Sequence, residues 1–207
     1  KLMPYIYSQA CKSASSGVPL MRAMVLEFND DPACKYLDQQ YMLGESLLVA
    51  PVFNPEGEAS YYVPEGTWTN FLTGEKVEGG RWKTEKHSYL SVPLLVKPNS
   101  IIAVGSQDTK PDYDYSDNVM FHVFEIGDGM CAVSEVTDIS GEKVSQVCVK
   151  REGRTISFEM LGISKGWSIY LRGIKDVESV RGGDYIIDDL GIRIIPDESD
   201  KVEVMLR

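Results

Sequence analysis

The sequence is poor in the residues from which metal and redox sites are built. It has two histidines, His87 and His122, far apart in the chain, and four cysteines, Cys11, Cys34, Cys131 and Cys148, with no C-x-x-C spacing. A tetrahedral zinc site needs several such ligands brought together, usually from closely spaced pairs, so no metal is expected and no cofactor motif stands in its place. Cysteines scattered in this way read as reduced core thiols, although Cys131 and Cys148 could still face each other across neighbouring strands. Basic charge is scarce as well: 21 Lys+Arg against 31 Asp+Glu leave a net charge of −10. With no basic stripe to neutralise phosphates, nucleic acid and membrane are not expected partners. No apolar run is long enough to cross a bilayer, and the opening "KLMPYIYSQACKSASS" lacks the charged, apolar and small-residue succession of a signal peptide. The expectation is a soluble, cytoplasmic protein.

What the chain does have is core material. Its 207 residues are 43% hydrophobic and 10% aromatic, enough for one large domain or two modest ones. Lys1 falls inside a helical pattern, as in a fragment of a longer protein. Leu2, Ile6, Ala10 and Ala14 recur at helical spacing, and Gly17 and Pro19 stop the helix. The run "LMRAMVLEF" that follows has the length and unbroken apolarity of a parallel strand covered on both faces. A second helix is expected from about Pro32 to Leu43, ending at Gly44. Helix, buried strand and helix make a piece of an α/β layer or barrel.

Beyond Gly44 the pattern changes to short aromatic and β-branched runs such as "ASYYVP", "TWTNFLTG" and "YLSVPLLVKPNSIIAVG", separated by Gly-containing turns. These read as an antiparallel β-sandwich. The acidic stretch "SQDTKPDYDYSDN", Ser106 to Asn118, reads as a linker, and strands resume from "VMFHVFEI" to "KVEVMLR" at the spacing of a second sandwich. The expected fold is mainly β, two antiparallel β-sandwich domains (residues 45–118, with the acidic linker at its end, and 119–207) preceded by a helix-strand-helix piece in residues 1–44.

"EFNDDPA" places Glu27, Asp30 and Asp31 together, and paired carboxylates are the equipment of glycoside hydrolysis. Asp31 directly precedes Pro32, where an aspartate accepts from the free amides of a starting helix and a proline loses no needed donor. Capping accounts for Asp30 and Asp31. Glu27 lies at the C-terminal end of the expected strand, the end where α/β barrels hold their active sites. Hydrolysis nevertheless needs two carboxyls on opposite sides of one bond, normally from separate elements. Arg22, inside the apolar run, needs either an anionic partner, one that could lie on strands outside this chain, or a route for its head to solvent.

"LMPYIYS", "GVPLMRAMVLEFNDDPA", "YLDQQYMLGESLLVAPVF", "YYVPEGTWTNFLTGEKVEGGRW" and "YLSVPLLVKPNSIIAVG" resemble the C-terminal part of glycoside hydrolase family 31, and within it the bacterial α-xylosidases most of all. The similarity runs from Lys1 to about Phe124 and more weakly to Arg207. It implies that residues 1–44 are the last helix, strand and helix of a catalytic (β/α)8 barrel, and that the two β-modules are the family's proximal and distal sandwiches. It also implies a retaining hydrolase of α-xylosides or α-glucosides whose two catalytic aspartates lie upstream, so that this chain holds no catalytic residue. Glu27, Phe28 and Asp30 are then expected on the outer rim of the substrate pocket. The partners implied are saccharides with α-linked xylose or glucose, and a homo-oligomer is compatible with this reading. A non-catalytic carbohydrate-binding or oligomerisation module is the alternative.

Three further groups invite function. Trp68, Trp82, Tyr61, Tyr62, Phe71 and Tyr89 could stack on sugars, yet their alternation favours a sandwich core. Asp112, Asp114 and Asp117 suggest calcium but lack the loop pattern and its glycine. Asp184, Asp188 and Asp189 read as turn formers.

Overall fold

The computed structural model describes residues 1–163, 165–197 and 199–207. They form two compact units, one of Lys12–Pro98 and one of Lys1–Cys11 with Asn99–Arg207. Helix α1 (Met3–Ser16) opens with Pro4 in its first turn, where a missing N–H costs nothing, and stops at Gly17, whose φ of 77° few other residues tolerate. Its buried stripe is Pro4, Tyr5, Ser8 and Gln9. This is a different face from the Leu2, Ile6, Ala10 and Ala14 series.

In the Lys12–Pro98 unit the expected parallel strand is not formed. Only β1 (Met21–Ala23) is extended, paired antiparallel with β2 (Tyr41–Leu43) so that Arg22 lies opposite Met42. The chain then winds into one helical turn, α2 (Met24–Glu27), closed by the Phe28 N–H donating to the Met24 carbonyl at 2.9 Å. The reason is backbone accounting: with no parallel neighbour among the described residues, a local turn satisfies groups that a lone strand would leave open. Met24 is fully buried, while Met21, Val25 and Leu26 are exposed, so the apolar run does present hydrocarbon to solvent. The expected helix from Pro32 to Leu43 is also replaced. A 3-10 turn spans Pro32–Tyr36, and Gly44 terminates β2 rather than a helix, leading into β3 (Leu47–Val49). Glycine with φ near 63° suits either ending, which is why the sequence signal was ambiguous.

The unit continues through β4 (Glu58–Val63), β5 (Thr67–Asn70), β6 (Lys76–Glu78), β7 (Arg81–Lys86) and β8 (Leu94–Val96). A six-stranded sheet runs β1-β2-β3-β8-β5-β6, antiparallel throughout, and β4 pairs with β7 as a separate ribbon. Met24, Met42, Leu48, Tyr61, Trp68 and Leu95 belong to the core. Trp68 is completely buried, and its indole N–H donates to the Pro64 carbonyl at 2.8 Å. Gly79 sits where a Cβ would fall 1.8 Å from that same carbonyl oxygen, so the "EGG" turn admits nothing larger.

The other unit contains β9 (Ser100–Val104), β10 (Asp117–Phe124), β11 (Cys131–Thr137), β12 (Lys143–Glu152), β13 (Thr155–Gly162), β14 (Lys165–Arg172), β15 (Val177–Arg181), β16 (Gly183–Asp188), β17 (Gly191–Pro196) and β18 (Lys201–Leu206). Two five-stranded sheets, β16-β17-β14-β10-β9 and β11-β12-β13-β18-β15, share one core that includes Phe121, Val147, Phe158, Ile169, Ile194 and Val204. Every pairing is antiparallel except β10 with β14. Strand β9 pairs with β10, so "SIIAV" adds to this unit's sheet. The acidic stretch before β10 is anchored: Tyr115 is buried, donates to the Pro111 carbonyl at 2.8 Å, and meets Tyr113 edge-on at 4.9 Å. All four cysteines are free, and Cys131 lies opposite Lys150 while Cys148 lies opposite Val133, two positions out of register for a disulfide.

His122 on β10 is buried between Tyr170, whose ring lies 5.0 Å away, and Arg172, whose guanidinium is 3.2 Å from Nδ1. Burial first, then Arg172 and Arg193, push its pKa down to about 3 against only a weak opposing pull from Asp188. The unfolded chain titrates near 6.5 and therefore binds a proton that the folded chain refuses. That contribution to stability is complete above about pH 6.5 and is lost progressively as the pH falls through about 3, by up to roughly 5 kcal/mol at 1.4 kcal/mol per pH unit. Denaturant unfolding measured across this window should show the loss, and His122→Gln should flatten it even if it lowers stability at neutral pH.

Candidate functional site

Glu27, at the end of α2, is already engaged. One carboxylate oxygen pairs with the Arg22 guanidinium, the other lies 4.0 Å from Lys97 Nζ, and Arg22 Nε donates to the Pro19 carbonyl at 3.1 Å. Arg22 is only 9% exposed, so a carboxylate partner matters to its charge. Of the two readings left open for Arg22, the structure shows an anionic partner, and it lies five residues along the same chain, brought round by the α2 turn.

Asp31 is a cap, as expected. It accepts from the Ala33 N–H at 2.9 Å, with Pro32 at the first position of the 3-10 turn. Its carboxylate also hydrogen-bonds the Cys34 thiol and the Tyr62 phenol. Burial, reinforced by that negative neighbour, raises the pKa of Cys34 to about 11 and that of Tyr62 to about 12. Neither is a nucleophile or a base near neutral pH. Asp30 is exposed, and Phe28 is half-buried with its ring centroid 6.0 Å from that of Trp68. Together with Asn29, Tyr62 and Glu65 these residues line an open cleft of about 480 Å³. Glu27, Phe28 and Asp30 do share one wall, but of the three carboxylates only Asp30 is uncommitted. Glu27 and Asp31 are thus held by structural partners rather than set as a pair across a glycosidic bond.

The aromatic group divides. Trp68, Tyr61 and Tyr62 are core, whereas Trp82 is 59% exposed and Tyr89 fully so. No grouping of His, Cys, Asp and Glu able to hold a metal occurs among the described residues. Asp114 instead accepts from Ser116, and Asp188 accepts from the Leu190 and Gly191 N–H groups and from Tyr170. Those are turn roles. One arrangement was invisible in the sequence: His87 Nδ1 lies 3.0 Å from Ser91 Oγ, and Nε2 lies 3.1 Å from Glu85, which also holds Tyr61 and Lys83. The Ser91 N–H, the nearest candidate oxyanion donor of a hydrolytic triad, donates instead to the Ser88 carbonyl at 3.2 Å.

Comparison with known proteins bears on this geometry. Residues 17–102 match the model for the glycosyl hydrolase family 31 C-terminal domain, and residues 114–206 match that for the C-terminal domain of α-xylosidase YicI. The chain belongs to glycoside hydrolase family 31. Among family 31 relatives, the α-xylosidase XylQ of Lactiplantibacillus pentosus is 37% identical over 179 residues, 84% of this chain and 23% of that protein. An α-xylosidase of Emericella nidulans is 43% identical over 119 residues, 54% of this chain and 15% of its own length. The chain therefore spans about a quarter or less of these relatives. The fold matches a Flavobacterium johnsoniae family 31 dextranase complexed with glucose at TM-score 0.83 and 22% identity, over 99% of this chain and 31% of that one. It matches the α-xylosidase of Xanthomonas citri at TM-score 0.69 and 22% identity, over 100% of this chain and 24% of that one. The described residues contain C-terminal β-units of this family and no catalytic barrel.

Removing Glu27 should therefore act on stability. Glu27→Gln removes a carboxylate partner of the buried Arg22 and is expected to cost up to about 3 kcal/mol, the lower end for a broken buried pair, since both side chains keep slight solvent contact. Replacing both residues by methionine should cost less than the single change, which comparison of denaturation midpoints would establish.

Proposed function

We propose that this chain is the C-terminal portion of a retaining α-glycosidase that acts on α-xylosides, with α-glucosides as the second substrate class. The whole protein's place is taken to be the cytoplasm, in carbohydrate metabolism, and self-association is compatible with it. The observation that carries this reading is the 37% identity to an α-xylosidase across 84% of the chain. The chemistry would come from two carboxyls elsewhere in the protein, one attacking the anomeric carbon and the other protonating the leaving oxygen. This chain's part is to support that barrel. Phe28 and Asp30 would form a rim to the substrate pocket, Phe28 as an apolar wall and Asp30 as an acceptor for sugar hydroxyls, while Glu27 holds Arg22 beneath them.

Release of aryl alcohol from an aryl α-xyloside, with an aryl α-glucoside in parallel, tests the proposal. The 207-residue chain alone should release none above background, whereas the protein carrying it together with a barrel should hydrolyse the xyloside. In that protein Asp30→Ala should raise KM about 2- to 10-fold, the equivalent of one hydrogen bond, with little change in kcat. Release by the isolated chain that disappears in Glu27→Gln would overturn the assignment and place an active site here.

A further inference from the structure

Strands β4 and β7 form a ribbon outside the six-stranded sheet, and strand alternation sorts their side chains between two faces. Ala59, Tyr61 and Val63 belong to the core. The other face carries three cross-strand pairs in register: Glu58 with Lys86, Ser60 with Thr84 and Tyr62 with Trp82. Two contacts fix these side chains on one side. The Thr84 hydroxyl donates to Ser60 Oγ at 3.1 Å, and the Tyr62 and Trp82 rings meet at 5.9 Å with 61° between their planes. All but Tyr62 are exposed, Trp82 by 59%. The Glu58 carboxylate, the Lys86 ammonium and the Trp82 indole N–H make no hydrogen bond or ion pair with another described residue. The row also adjoins the cleft of about 480 Å³, because Tyr62 lines that cleft and its phenol hydrogen-bonds Asp31 on the cleft wall.

A lone exposed indole is common on protein surfaces and needs no ligand to explain it. The row is what gives this face a use. An indole braced by a buried tyrosine is followed, at steps of about 6.8 Å along the strands, by a hydroxyl pair and then by a free carboxylate and ammonium. A sugar chain lying along the ribbon can pack a pyranose C–H face on the indole, and its further hydroxyls can donate to Glu58 and accept from Lys86. One acid and one base leave the row without net charge, which favours a neutral ligand over a phosphorylated one. We infer that the outward face of the β4–β7 ribbon is a non-catalytic track for neutral oligosaccharides, with Trp82 as its stacking platform, and that it carries the part of an extended substrate that leaves the cleft. The choice of α-linked xylosyl and glucosyl chains, and the use of the cleft as a substrate pocket, rest on the proposed function above.

Titration calorimetry and tryptophan fluorescence on the 207-residue chain, with an α-xylosylated gluco-oligosaccharide and with isomaltotriose, test the assignment. Saturable binding in the millimolar range or tighter is expected, weakened about three- to tenfold in Trp82→Ala and severalfold in Thr84→Val and Glu58→Gln. Trp82→Phe, which keeps a flat ring, should retain most of it. Free xylose, which can fill only the platform, should bind more weakly than either oligosaccharide. Tyr185→Ala, which changes an exposed aromatic residue of the other unit, should leave binding unaltered. Each variant is checked for unchanged thermal unfolding, and should Trp82→Ala unfold, the exposed Thr84→Val and Glu58→Gln decide. Absence of saturable binding to the folded chain, or binding by the folded variants equal to wild type, overturns the track. Hydrolysis of a small aryl α-xyloside by the barrel-containing protein gives an independent reading: if it fails while binding persists, the activity assignment falls and the track stands.

Discussion

The constraint on which the Lys12–Pro98 unit depends is that buried backbone groups must all be paired, in a chain whose strands are mostly three to six residues long. Strands β1, β2, β3, β6 and β8 have three residues each and cannot hold a neighbour alone. The sheet closes because β8 is inserted between β3 and β5, joining segments distant in sequence. A side chain completes what the strands leave open. The Gln40 amide donates to the Tyr62 carbonyl at 2.8 Å and accepts from the Tyr62 N–H at 2.7 Å, acting as a one-residue strand against β4. Two buried bonds of this kind contribute about 0.5–1.5 kcal/mol each, and leaving their partners open would cost more. The same requirement converts the apolar "LMRAMVLEF" run from a strand into a bridge and a helical turn.

That turn is what brings Glu27 back to Arg22, so the charge arrangement follows from the backbone rather than preceding it. Once Glu27 is an ion-pair partner and Asp31 a cap, the acidic cluster has little chemistry left. The cluster therefore serves the shape of the cleft wall, with Phe28 resting on Trp68 and Asp30 at the edge.

The Asn99–Arg207 unit meets the same constraint with longer strands and a shared core. Alternation along β12 puts Ser145, Val147 and Val149 inside. The pairing of β10 with β14 is the one departure, and the β11–β12–β13 connections supply the long crossover that parallel neighbours need. On β10 and β14 the buried side chains of His122, Tyr170 and Arg172 come together, and His122 is kept neutral.

Local signals were sufficient wherever one residue's neighbours decide its role. The Asp31-Pro32 cap, the Asp188 turn, the glycine-marked hairpins and the alternating strands are all written in spacings of a few residues, and the long family motifs from "LMPYIYS" to "IIAVG" identified the family. Tertiary structure alone decided the rest, because periodicity reports amphipathicity and cannot report partners. It decided that Met21 to Glu27 is not a parallel strand, that Arg22 pairs with Glu27, and that Trp82 is outside while Trp68 is inside. Each of these outcomes depends on which segments pack together, and spacings of a few residues do not encode that.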